Sequence, residues 1–258
     1  MRTLAEIVAI GISKEFADSN FSPAFFELSV GRFNKDIYLP PLVLPLDDVR
    51  RVSLSGKIDR VDILRKDDDV YIRVVDYKTG AKTFSFGDLK KAKNIQLPLY
   101  LFALCDEDQE VFKEAVGCKE NGKVLPAGAM YFSSLISPID VSDNLAVSSV
   151  KELAENGFER SGFLIDDEEI LLDMSKSFSK QILCGISKTK KGELSGKAKV
   201  SGADMQKMNT ELKETICSVA DSIMLGKMSP SPSFEGQAPR CDSCSMKAVC
   251  RSAWKFEN

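Results

Sequence analysis

Asp59, Asp76 and Lys78 are the residues of this sequence whose types and placement could do chemistry together. They lie on two alternating runs, 54–65 and 70–78, that read as strands around the polar turn Lys66-Asp67-Asp68-Asp69. With Asp67 and Asp68 as the central turn residues, Lys66 faces Asp69. One face then pairs Val61 with Val74 and Ile63 with Ile72, all apolar. The other face pairs Asp62 with Arg73, an ion pair, and Leu64 with Tyr71. A one-residue slip would scramble both faces, so the register is well specified. It sets Asp59 opposite Asp76 on the apolar face, with Lys78 two residues further along that face. Facing carboxylates repel and lose hydration near a core, so a divalent cation is the natural counter-charge. Mg²⁺ suits an all-oxygen site that keeps waters. Lys78 could orient or help deprotonate an attacking water, or hold a phosphate oxygen. The alternative is that both aspartates are solvated strand ends and Lys78 pairs with one of them. The register favours the metal site.

The rest of the composition narrows the chemistry. The 258 residues contain no histidine and seven cysteines. Without histidine there is no Ser-His-Asp or Cys-His nucleophile system within the chain, nor a common His-ligated catalytic zinc. An odd cysteine count argues against a disulfide framework and, with no apolar run long enough for a membrane span and no signal-like N-terminus, the chain reads as cytoplasmic. The net charge of −3 advertises no bulk basic field, so any DNA contact must be local.

Several elements must position the hairpin. Residues 1–20 read as a helix with Leu4, Ile7, Val8 and Ile12 on one face. The segment Leu39 to Pro45, with three prolines, reads as irregular or edge. A helix is expected from Asn94 to about Asp106, with Pro98 in its first turn. Ala129 to Ser133 reads as a short strand of the same sheet. Met205, Met208, Leu212, Ile216, Val219 and Ile223 mark a long amphipathic helix with Gly226 as its C-cap. Lys188 to Lys199, rich in lysine and glycine, reads as a mobile loop.

Three segments then make a composite signature: Gly56-Lys57-Ile58-Asp59-Arg60-Val61-Asp62, Val75-Asp76-Tyr77-Lys78-Thr79-Gly80 and Gln96-Leu97-Pro98-Leu99-Tyr100. In order and spacing they resemble the successive motifs of the RecB-type nuclease family of the PD-(D/E)xK superfamily. The likeness is greatest to the C-terminal nuclease domains of AddB-type subunits of helicase–nuclease repair complexes. Ala127-Gly128-Ala129-Met130-Tyr131-Phe132 resembles the strand that follows, and the likeness covers about residues 25–254. It implies an α/β (α+β) fold, a central mixed β-sheet flanked by helices in a restriction-endonuclease-like core, with a cysteine-containing C-terminal tail. The domain division expected is 1–232 for the nuclease and 233–258 for the tail. The implied activity is phosphodiester hydrolysis of DNA, exonucleolytic, using Mg²⁺ or Mn²⁺ beside an AddA-like helicase–nuclease partner. Asp59, Asp76 and the Tyr77 backbone carbonyl would be metal ligands and Lys78 the catalytic lysine. Gln96 and Tyr100, one helical turn apart, would face the site; the alternative is a helix-terminal Gln and a core Tyr.

Two features depart from that pattern. The family's additional metal ligand is a histidine on a helix before the first Asp. Glu27 is the acidic residue upstream that could substitute, or else a solvated strand residue. Cys241, Cys244 and Cys250 resemble three of four ligands of a [4Fe–4S] cluster that clasps the tail. The fourth ligand would precede Asp59, where this chain has no cysteine. Cys105, Cys118, Cys184 and Cys217 read as dispersed thiols. Histidine and cysteine alike are expected upstream of Met1 in a longer protein, leaving the cluster absent from this fragment. Phosphate contacts could come from Lys90, Lys91 and Lys93, or from Lys188, Lys190, Lys191, Lys197 and Lys199, although such runs are often solvated loops. A catalytically inactive DNA-binding or scaffolding protein that keeps the fold is the rival function.

Overall fold

The computed structural model describes residues 2–32, 37–80, 82–106, 108–133, 158, 160–227, 245 and 249. Its centre is a six-stranded mixed sheet. Chain order gives α1 (Arg2–Asp18), β1 (Ser22–Val30), β2 (Leu42–Pro45), β3 (Arg51–Leu54), β4 (Gly56–Lys66) and β5 (Asp69–Lys78). A short 3₁₀ helix (Phe86–Lys91) leads to α2 (Gln96–Leu104), α3 (Glu110–Ala115), β6 (Val124–Ser133) and β7 (Arg160–Ile165). Then come α4 (Glu168–Met174), β8 (Ser187–Lys188), β9 (Leu194–Ser195), β10 (Lys199–Val200) and α5 (Gly202–Met224). The sheet order is β1-β4-β5-β6-β7-β10. Neighbours β1/β4, β4/β5 and β6/β7 run antiparallel, and β5/β6 and β7/β10 parallel. This is the mixed sheet with flanking helices that the resemblance implied.

The hairpin register is the one the side-chain alternation demands. Val61 pairs with Val74, Ile63 with Ile72, Asp62 with Arg73 and Leu64 with Tyr71, around a two-residue turn. Asp67 takes a left-handed φ of 57°, which the short polar side chain of Asp tolerates. Val61, Ile63, Ile72 and Val74 bury against Leu97 and Leu101 of α2 and Met205 and Leu212 of α5. The opposite face packs Val75, Met130 and Phe132 against Ile7 of α1 and Ile170 and Met174 of α4. Each face is covered by helices, which keeps the sheet between two apolar layers.

Several expectations need correction. The amphipathic helix forms, and Gly226 follows it at φ +63°. Its apolar stripe is shorter than read, however, for Val219 and Ile223 are 42% and 60% exposed. The stretch Lys188 to Lys199 is no simple loop: Ser187 and Lys188 pair with Ser195 and Leu194 in a small hairpin. Within the segment read as irregular or edge, Leu42–Pro45 is an edge strand, pairing among the described residues only with β3 in a two-stranded ribbon. Among the described residues no helix is long and apolar enough to cross a membrane. Cys241, Cys244 and Cys250 of the tail lie outside the described residues.

Candidate active site

The backbone ladder between β4 and β5 ends at Arg60 opposite Val75, one rung short of the aspartates. Beyond it, the Tyr77 N–H donates not to a β4 carbonyl but to the Asp59 carboxylate, at 2.8 Å. Asp59 therefore stands at the fork where the two strands part. In an extended strand the N–H and C=O of one residue point to the same neighbour. The Tyr77 carbonyl accordingly lies on the same side of β5 as the Asp59 carboxylate.

Asp76 occupies the strand end beside this fork. Its side chain is 2% exposed, and Lys78 Nζ lies 2.5 Å from its Oδ2. Burial raises its pKa; Lys78 works against that, and the negative charge of Asp59 adds to the rise. The two carboxylates are thus close enough to feel one another. Lys78 continues into α2, where its Nζ donates to Gln96 Oε1 at 3.4 Å. Gln96 Nε2 in turn donates to the Tyr100 hydroxyl at 3.4 Å. The other residues of α2 are apolar and, apart from Leu99, buried, so Gln96 and Tyr100 are its polar outlets towards the hairpin end. Tyr100 also explains why the first motif opens with glycine. A Cβ on Gly56 would stand 2.8 Å from Tyr100 Cε1 and 2.9 Å from its hydroxyl.

Two neighbours escaped the sequence reading. Tyr131 of β6 is paired with Asp76 across the parallel ladder. Burial, and then the Asp76 charge, push its phenol up to about 12. Lys78 and Lys82 both sit over its ring, at 5.6 and 5.8 Å from the centroid. Lys82 is exposed and its charge favours ionised Asp76. The parallel pairing of β5 with β6 was the missing signal, since only it brings Tyr131 beside Asp76.

Glu27 lies on β1 between Phe26, opposite Arg60, and Leu28, opposite Ile58, which puts it beside Asp59 in the next strand. Its backbone takes a left-handed φ of 57°. For a long side chain that conformation is uncommon. Its carboxylate is 61% exposed and pairs with Lys57. Lys90 and Lys91 lie on the 3₁₀ helix, and their side chains fall outside what is described. Lys93, half-buried, follows it. Lys190 and Lys191 are exposed at the β8–β9 turn, with Lys197 just beyond β9. That hairpin belongs to the other end of the sheet. Lys188 pairs with Glu168, Lys199 with Asp166, and both acids follow the end of β7 remote from Asp76. A cavity of about 1020 Å³ also opens at that remote end, lined by Tyr71, Phe102, Lys123 and Asn209, and takes none of the candidate residues.

The groups at the fork that could hold a cation are two carboxylates and a backbone carbonyl. Among the described residues no group of three His, Cys, Asp or Glu side chains converges. Hard oxygen donors with a crowded buried carboxylate fit a small divalent cation that keeps several waters, and do not fit zinc in a thiolate or imidazole cage.

A mixed sheet with an Asp at the end of one strand and Asp-x-Lys on the next defines the class. Residues 2–251 match the PD-(D/E)XK nuclease superfamily, and the chain belongs to that family. Among curated proteins it is 27% identical over 257 residues to a subunit of the ATP-dependent helicase/deoxyribonuclease of Clostridium acetobutylicum, covering 99% of this chain and 21% of that one. It is 29% identical over 244 residues to the protein of the same name from Acetivibrio thermocellus, covering 93% and 20% respectively. The chain thus spans about a fifth of the length of the curated relatives it matches.

Proposed function

We propose that this chain is a divalent-metal-dependent deoxyribonuclease domain that hydrolyses phosphodiester bonds of DNA. The observation that carries the reading is the fork itself: Asp59 caps the parted ladder through Tyr77 N–H, beside buried Asp76 and its Lys78 partner. Asp59, Asp76 and the Tyr77 carbonyl would hold Mg²⁺ or Mn²⁺. When bound, that cation supplies Lewis acidity and offsets the charge that develops on a phosphate under attack. Lys78 orients the incoming water or holds a phosphate oxygen, and Gln96 and Tyr100 hold Lys78 at its station. Lys82, exposed at the mouth, is suited to a neighbouring phosphate, with Lys90, Lys91 and Lys93 as further contacts. Lys190 and Lys191 would need DNA to run to the far end of the sheet. Glu27, held in an unusual backbone conformation beside Asp59, is the candidate extra ligand, reached by releasing Lys57.

For the larger protein, we infer an exonuclease within a helicase–nuclease complex for double-strand-break repair, in the cytoplasm with an AddA-like partner. The relatives' names, which give a subunit of an ATP-dependent helicase/deoxyribonuclease, support the helicase–nuclease part of this reading. Calorimetric titration with Mn²⁺ tests the site. The wild-type chain should bind and Asp76→Ala should not; wild-type affinity in Asp76→Ala would remove Asp76 from the site.

A further inference from the structure

Behind the two aspartates, on the α1 face of the sheet, lies a buried charged cluster that hydrolysis does not use. Arg60 and Arg73 are wholly buried, and both bond to Asp62 and to Glu15 of α1. Arg160 of β7 adds a bond of 2.5 Å to Glu15. Three guanidinium groups therefore share two carboxylates in a place where apolar packing would serve stability as well or better. One arm of the cluster reaches the site. Arg60 Nη1 donates to the Tyr77 hydroxyl at 2.8 Å. The Arg60 guanidinium is held between the rings of Phe16 and Tyr77, at 5.1 and 5.7 Å.

The placement of this arm is informative. Arg60 forms the last backbone rung of the β4–β5 ladder and directly follows Asp59. Tyr77 is the residue whose N–H meets the Asp59 carboxylate. The Arg60–Tyr77 bond is thus a side-chain rung that replaces the missing backbone rungs, on the face away from the reaction. We propose that Tyr77, through its hydroxyl, and Arg60 are positioning residues. They fix the separation of the parted strand ends, so that the Asp59 carboxylate and the Tyr77 carbonyl converge on one cation. The inference deepens the metal-site reading above and rests on it.

Tyr77→Phe tests it, because the variant deletes one oxygen and keeps the ring. Mn²⁺ affinity, by calorimetry or electron paramagnetic resonance, should fall about tenfold, the low end of what loss of such a supporting bond costs a metal site. Ile72→Val, a methylene deletion in the same strand, serves as the control for general loosening and should keep wild-type affinity. Arg60→Lys should weaken Mn²⁺ binding in the same direction; if it does not fold, Tyr77→Phe decides alone. Wild-type affinity in Tyr77→Phe, or an equal loss in Ile72→Val, would overturn the positioning role. A wild-type chain that binds no Mn²⁺ would instead refute the metal site itself, before any variant is compared, and the inference with it.

Discussion

Asp76 carries its carboxylate where water barely reaches it, beside a second carboxylate and paired with Lys78. Its raised pKa says that, without a cation, the ionised form is less favourable in the folded chain than in the unfolded one. A group of this kind lowers stability at pH values where it is ionised. Asp76→Asn removes the charge and keeps the shape, so the metal-free variant should melt at or above the wild-type temperature. Each kcal/mol relieved is worth about 2–4 °C in a domain of this size. The same variant should lose the stabilisation that Mg²⁺ gives the wild type, about 2.7 kcal/mol at a hundredfold excess over Kd. Thermal melts with and without Mg²⁺ check both halves. A lower metal-free midpoint would mean that the Lys78 pair outweighs desolvation at this position. Stability given up at a reactive centre is a common signature of function.

At the scale of elements, the sheet is fastened to α1 by Glu15. Burial alone would raise its pKa, but Arg73, Arg160 and Arg60 outweigh burial and hold it at about 2. A carboxylate whose folded pKa is depressed contributes stability that is present above its unfolded value of 4.5 and is lost as pH falls towards 2. The shift corresponds to about 3 kcal/mol. Glu15→Gln should therefore destabilise the chain by about that much at neutral pH and flatten its acid-unfolding profile between pH 4.5 and 2. Urea titrations across that range are the check; an unchanged profile would show that Glu15 does not carry the acid sensitivity. The hairpin register was legible in the sequence because strand alternation has a period of two and both faces had to make sense at once. The Asp62–Arg73 pair followed from it. Glu15 could not be read, for its partners lie 45, 58 and 145 residues away and no local periodicity links them. The fork at Asp59 was also hidden, since a side chain taking a backbone N–H breaks the ladder rule that sequence reasoning extends. The β8–β9 hairpin was read as a loop because its strands are two residues long, too short to alternate.

The whole chain matches about a fifth of its curated relatives, so its site must be judged by what these residues do themselves. The described cysteines do not gather. Cys105, Cys118 and Cys217 pack around one apolar layer of the sheet and Cys184 around the other. We therefore expect purified chain to hold no intact [4Fe–4S] cluster, Cys241, Cys244 and Cys250 being three thiolates where four are required. Iron and sulfide analysis after anaerobic purification should give far less than four irons per chain; a full complement would reveal an unrecognised fourth ligand. The central claim is that the fork at Asp59, Asp76 and Lys78 cuts DNA, and the direct measurement is cleavage of an end-labelled single-stranded oligonucleotide with Mn²⁺. The account predicts cleavage by the wild-type chain that chelation abolishes and that Lys78→Met slows by about 10²–10⁴-fold. Absence of cleavage by the wild type, or metal-dependent cleavage that Lys78→Met leaves at the wild-type rate, would contradict it.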